Sequence, residues 1–290
     1  MPTPPNPFRH LDGQVVLITG AGRGLGRAYA LAFAAEGAAV VVNDRDQDTA
    51  DAVVAEIAGL GGRAVSAVGS VADPETVREI VATAVKHFGR LDVMVTNAGA
   101  DRRGFVLDLT PDDWQATLAT HVFGTIHCSV EAAKVMREQG GGVIINVTSA
   151  AFFAGSPKLA PYCTSKGAIY GFMRASAQEL AAFGITVNAV SPPMTETEPV
   201  MAYLETLREI GLTDEQVAGL ASTMSAPADV APIAVFLATP EGRKFSGQVF
   251  TMTAGTLSAL VHPATGTDAI APPSGWSIES LSSVVPGLLL

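Results

Sequence analysis

Basic residues are scarce in this chain: Lys and Arg number 18 against 28 Asp and Glu, a formal net charge of -10. A phosphate backbone needs a basic face to sit on, so nucleic acid is excluded as the expected partner. Charge of either sign is thin at 16% of residues, while 48% are hydrophobic. That balance rules out a chain held open by self-repulsion and leaves apolar side chains for one large core. Cysteine is nearly absent. Cys128 and Cys163 stand neither in a C-x-x-C pair nor beside a histidine at ligand spacing, so no disulfide framework is expected and a reducing cytoplasm is. His10, His87, His127 and His262 have no partners at metal-ligand spacing, and no metal is expected. The sequence also lacks an apolar run approaching the roughly 18 residues of a spanning helix and a charged-then-apolar leader, which predicts a soluble protein with no membrane partner.

What is there is a rhythm. Short β-branched runs at 15–19, 39–43, 64–68, 92–96, 143–147, 186–190 and 248–253 alternate with longer Ala-rich amphipathic stretches at 25–36, 49–60, 74–88, 111–138 and 162–183. Continuous apolar strands separated by crossover helices predict a single doubly wound α/β domain over 13–260, a seven-stranded parallel sheet with helices on both faces. Prolines at 2, 4, 5 and 7 make 1–12 an extended arm. The rhythm breaks at 192–226, a mixed helical insertion expected to serve as a substrate lid. Residues 261–290 form a Pro-, Gly- and Ser-rich extension ending in Leu288, Leu289 and Leu290, an apolar end expected to pack over a neighbouring subunit or a pocket mouth.

The first strand runs into Thr19-Gly20-Ala21-Gly22-Arg23-Gly24-Leu25-Gly26 and then an Ala-rich helix. Glycines between strand one and helix one allow a tight turn and close approach to a pyrophosphate, the Rossmann arrangement, with the helix N-terminus facing the anion. Asp44 closes the second strand 24 positions after Gly20, where a carboxylate accepts both adenosine-ribose hydroxyls and repels a 2′-phosphate. NAD is therefore expected over NADP, with Arg23 and Arg45 the residues able to reverse that preference.

Ser149 follows the fifth strand, and 13 positions on stands Tyr162, with Lys166 four further. On a helix Tyr162 and Lys166 project from one face. A phenol of reference pKa about 10 is a poor base at neutral pH; a nearby ammonium and the positive ring of an oxidised nicotinamide favour its phenolate. The phenolate then takes an alcohol proton while Ser149 hydrogen-bonds the same oxygen.

As a set these residues resemble the short-chain dehydrogenase/reductase family over roughly 11–256. The resemblance implies that Asn97-Ala98-Gly99 closes the fourth strand against the cofactor and that Lys166 also holds the nicotinamide ribose. It implies further that the chain after Pro192 meets the carboxamide through Thr195 or Thr197, and that the protein is a homotetramer or homodimer. Two positions depart from the family. His121 replaces the usual helix asparagine, and its ring can carry protons in that residue's place. Pro192-Pro193 replaces the usual Pro-Gly. These departures, with Asn43-Asp44, Ser70-Val71 and 194–197, are similar to the dehydrogenase unit of multifunctional hydroxyacyl-CoA enzymes, most strongly over 24–44.

Phe152, Phe153, Met194, Met201, Tyr203 and Leu207 are candidates for an apolar substrate pocket, and each is equally readable as core. The expected activity is NAD-dependent oxidation of a hydrophobic secondary alcohol or reduction of the ketone. The alternatives are a 3-hydroxyacyl-thioester dehydrogenase and a silent nucleotide-sensing protein, which would need the glycine loop without the Tyr162 and Lys166 pair.

Overall fold

The computed structural model describes residues 9–262. The predicted extension at 261–290 lies almost wholly outside these residues, as does most of the arm. Eight strands form one sheet in the order β3-β2-β1-β4-β5-β6-β7-β8. They are β1 Val15–Thr19, β2 Ala39–Asp44, β3 Arg63–Val68, β4 Val93–Thr96, β5 Gly142–Val147, β6 Ile185–Val190, β7 Val249–Met252 and β8 Leu257–Ala259. The first seven pair in parallel; β8 runs antiparallel to β7. The expected seven-stranded sheet is thus corrected to eight. Three exposed residues after a turn form the extra edge strand, too short for alternation to mark in the sequence.

The helices are α1 Gly24–Ala35, α2 Gln47–Gly59, α3 Pro74–Phe88, α4 Pro111–Leu118, α5 Gly124–Gln139, α6 Ala151–Ala154, α7 Ala160–Glu179, α8 Glu198–Leu207, α9 Asp214–Ser222 and α10 Pro227–Ala238. Their ends follow local chemistry. Asp73 caps α3 by accepting from Thr76 N–H, Pro74 fills the first turn, and Gly89 ends the helix at φ 81, the left-handed conformation a glycine adopts without penalty. The single helix expected at 111–138 is two, joined by a π-helical turn at Ala119–Phe123. One extra residue in that turn aims His121 inward. No helix among the described residues is long and apolar enough to cross a membrane.

β1 is buried at every position, as a strand covered on both faces must be. On one side Tyr29, Ala30 and Phe33 of α1 meet Val230, Ile233 and Leu237 of α10 over β1, β2 and β5. On the other, α3, α5 and α7 lie against the sheet, α3 and α5 packed on each other. The supposed arm at 1–12 is partly built into this core: Leu11 is fully buried and its N–H donates to Glu36 O.

The strand order reverses between β1 and β4, which opens a crevice at their C-terminal ends. The insertion at 192–226 stands over that edge with a core of its own, Leu204, Leu207 and Val217. A bridge between Thr195 and Ser225 closes its base.

Candidate active site

The glycine turn is held from two sides. Gly20 and Gly24 take φ 61 and 54, and a Cβ on Gly26 would stand 2.1 Å from Gly20 O. Asn97 Nδ2 donates to Thr19 O at 3.0 Å and Gly20 O at 3.1 Å. The backbone N–H groups of Asn97 and Ala98 both donate to Thr19 Oγ1, so β4 and the turn form one unit. No side chain caps the start of α1, which leaves its first N–H donors facing the crevice.

Asp44 sits at the end of β2 as expected. Its Oδ2 accepts from Gly22 N–H at 3.0 Å and its Oδ1 from Arg45 N–H at 2.7 Å. An open cavity of about 550 Å³ lies against Asp44, bordered by Arg23, Arg45, Asp46, Gln47 and Asp48. Arg23 turns from that carboxylate to Glu198 of α8, 3.2 Å away. Ser70 Oγ accepts from Ala72 N–H, and Val71 is buried so closely against Gly124 that a Cβ there would come within 2.6 Å of it.

Ser149, Tyr162 and Lys166 come together. Ser149 stands beside the Tyr162 hydroxyl, where it favours the phenolate. Lys166 is buried, its Nζ 5.3 Å from the centre of the Tyr162 ring and donating to Val147 O at 2.7 Å. Burial pushes the Tyr162 phenol up to about 12, opposed by Ser149, and pushes the Lys166 ammonium down to about 8. Without the nicotinamide charge that the expectation also invoked, desolvation prevails and the phenol stays protonated at neutral pH.

His121 is buried against the same cluster. Its ring meets the Tyr162 ring edge-on at 5.4 Å, and its Nε2 lies 3.1 Å from Asp101 Oδ1. Burial lowers the His121 pKa; that of Asp101 is also lowered, because His121, Lys166 and Arg103 together outweigh its own burial. Asp101 was not signalled by the sequence, since the loop at 97–110 carries no periodicity and the aspartate precedes two arginines as an ordinary solvated run would.

The proposed substrate residues divide. Phe152 stacks on Tyr170 at 5.0 Å and touches Phe153, which is exposed. Met201 is exposed on α8. Met194 and Tyr203 pack against the lid's core, and the Tyr203 hydroxyl reaches Pro157 O at 3.5 Å. Leu207 is corrected: it is buried inside the lid between α8 and α9, where the helical period of Leu204 and Leu207 places it. Thr195 is buried with its hydroxyl on Pro193 O at 2.8 Å. Pro192 precedes it on the same connection, and Thr197 Cγ2 lies over Gly24. Two cations missed in the sequence tie the lid down: Arg103 Nη2 donates to Pro199 O at 2.5 Å, and Lys158, in a left-handed conformation at φ 63, pairs with Glu209 and stands over the Phe105 ring.

The family profile described as short chain dehydrogenase matches residues 14–208. A 3-oxoacyl-[acyl-carrier-protein] reductase of Synechocystis sp. is 39% identical over 255 residues, covering 84% of this chain and 97% of that protein. The crystal structure of a short chain dehydrogenase from Mycobacterium avium superimposes with a TM-score of 0.83 at 34% identity, covering 97% of this chain and 95% of that one. A 7α-hydroxysteroid dehydrogenase complexed with NADH and 7-oxo glycochenodeoxycholic acid gives 0.76 at 31% identity over 86% and 96%.

Proposed function

The chain belongs to the short-chain dehydrogenase family, oxidoreductases of CH–OH and keto groups that use a nicotinamide cofactor, and we propose that this member couples NAD to a hydrophobic secondary alcohol or its ketone. The observation that carries the reading is the convergence of Ser149, the Tyr162 hydroxyl and the buried Lys166 Nζ, 5.3 Å from the centre of the Tyr162 ring.

The residues present fit a dinucleotide. A Cβ on Gly22 would strike Thr49 and Asp44, and one on Gly26 would strike Gly20 O and Asn97, so only glycines allow this tight strand-to-helix turn. The uncapped start of α1 offers N–H donors to a pyrophosphate. Gly20, Gly24, Leu25, Asn97, Ala98, Gly99, Ser70 and Val71 would border it. Lys166 would hold the nicotinamide ribose, and Thr195 and Thr197 the carboxamide end. When bound, the nicotinamide supplies a two-electron hydride acceptor or donor and, oxidised, a positive charge near the phenol.

Tyr162 exchanges the proton of the reacting oxygen. In oxidation the phenolate takes it as the C–O bond becomes a carbonyl; in reduction the phenol returns it. Ser149 donates to that oxygen and fixes its distance from the phenol, and Lys166 provides the cation that favours the phenolate. A phenol at about 12 stands roughly five pH units above neutrality, so base catalysis at pH 7 needs added positive charge in the cleft.

Asp44 supports NAD over NADP. Backbone N–H groups fix its carboxylate at the ribose end of the crevice, where it opposes a 2′-phosphate, and Arg23 is engaged by Glu198. Apolar Val130, Phe172 and Phe183, at a groove between α5 and α7, support a homodimer or homotetramer. One observation favours a second reading, a 3-hydroxyacyl thioester as substrate: the Synechocystis relative is a 3-oxoacyl-[acyl-carrier-protein] reductase.

A scan of secondary alcohols followed by NADH absorbance identifies the substrate. In that assay Tyr162→Phe should abolish turnover and leave NAD binding nearly intact. Retention of most activity would overturn the reading.

A further inference from the structure

Asp101, in the loop after β4, has no role in the reaction as derived so far. Its Oδ1 is 3.1 Å from His121 Nε2, and the same nitrogen lies 3.2 Å from the Ala100 backbone N–H. One ring nitrogen cannot accept from Ala100 and donate to Asp101 at once. With its hydrogen on Nδ1 the neutral ring accepts from Ala100; with a hydrogen on Nε2 it donates to Asp101. The other nitrogen, Nδ1, is buried with no hydrogen-bond partner among the described residues, so Asp101 and Ala100 alone select between the two states.

The ring has little room to choose otherwise. The π-helical turn aims it inward, a Cβ on Gly99 would strike its Cε1 at 2.5 Å, and its edge rests on the Tyr162 ring. Asp101 is thereby joined through one imidazole to the phenol that exchanges the proton. The charged and titratable groups around the carboxylate are His121 from the π turn, Tyr162 and Lys166 from α7 and Arg103 from its own loop. Cys163 of α7 bears on Tyr162, and Cys163 and Arg103 bear on Tyr203 of α8.

We propose that Asp101 is a positioning residue for the reaction: its carboxylate holds His121 through Nε2, fixes the imidazole edge against Tyr162, and balances the buried ammonium of Lys166. The proposal rests on the reading of Tyr162 as the acid/base. It differs from a packing role in its dependence on pH. The negative charge of Asp101 raises the pKa values of Tyr162, His121 and Lys166 alike, so its removal lowers all three. In alcohol oxidation, with the charge of the oxidised nicotinamide bringing the phenol below the ammonium, the acid limb of kcat/KM follows loss of the phenol proton and the alkaline limb follows loss of the ammonium proton. Both limbs therefore move to lower pH.

The test uses the full chain, NAD and an alcohol found active in the scan, comparing wild type with Asp101→Asn. Expected are a fall in kcat of about tenfold or more with KM for NAD within about twofold, and both limbs displaced downward by roughly half a pH unit or more. Asp101→Glu should restore the wild-type limbs. A profile that superimposes on wild type in shape, whatever its height, overturns the proposal. If Asp101→Asn does not fold, Asp101→Ser, which keeps a short polar side chain in the loop, reads the same displacement. A cycle with His121→Gln supplies a second measurement: the double variant should be no slower than the slower single one, and strictly additive losses would sever Asp101 from His121. An active Tyr162→Phe enzyme defeats the functional reading itself, whereas an unshifted Asp101→Asn profile beside an inactive Tyr162→Phe defeats only this inference.

Discussion

Replacing Lys166 with methionine should make the cofactor-free protein respond differently to pH, and the size of the difference follows from burial. Lys166 is buried with Nζ on Val147 O, and its ammonium is pushed down to about 8. In the unfolded chain it holds its proton to about 10.4. Below pH 8 both states are protonated, and the folded state bears the full cost of a buried charge. Between pH 8 and 10.4 the unfolded state binds one proton more than the folded state, so stability rises with pH by about 1.4 kcal/mol per unit, about 3 kcal/mol in all. Methionine fills similar volume without the charge and removes this dependence. At pH 7 the relieved charge, about 3 kcal/mol, is set against the roughly 1–3 kcal/mol of a buried carbonyl losing its donor. Lys166→Met is then neutral or modestly stabilising there, and its advantage over wild type declines by about 3 kcal/mol on going to pH 10.4. Urea unfolding of both proteins at pH 7, 8.5 and 10 measures that decline, and groups that titrate equally in both cancel in the difference. An offset that does not change with pH would refute the account of Lys166 as a costly buried cation. The same variant should have no measurable turnover.

Two further outcomes concern the nucleotide. Gly26→Ala drives a methyl to 2.1 Å from Gly20 O and 2.7 Å from Asn97 Nδ2. Backbone must move, at about 1–3 kcal/mol of stability, and NADH affinity by fluorescence titration should fall with it; wild-type affinity would show that the turn does not cradle the dinucleotide. Asp44→Ala should narrow the ratio of kcat/KM for NAD to that for NADP by about tenfold, one charge repulsion of about 1.4 kcal/mol. A wild-type preference for NADP would mean that Arg23 or Arg45 governs the pocket.

The central strands were legible because burial on both faces leaves β-branched runs with no other reading: 15–19 in the sequence is Val15–Thr19 in the fold. The glycine turn, Ser149, Tyr162 and Lys166 were legible because their chemistry depends on fixed spacing along one strand end or one helix turn. α10 was not. Its sequence PADVAPIAVFLA is apolar around most of its circumference and carries Pro232 inside it, so periodicity is erased and proline argues for a break, yet its packing against α1 holds it helical. Asp101 escaped notice because its partner is 20 residues away and arrives through a π-helical turn that no local propensity announces. The direction of the Tyr162 shift was also hidden, since neighbours along a helix can be counted from text whereas desolvation depends on how much protein closes over the phenol.

The segment over the strand ends encloses Leu204, Leu207 and Val217 within itself and joins the body through two adjacent connections at Thr195 and Ser225. It is thus a self-supporting cassette on a narrow neck. Changes to the face it turns toward the crevice leave the backbone of the strand ends and α7 undisturbed, so appetite for one alcohol over another can drift while the machinery that oxidises it stays the same.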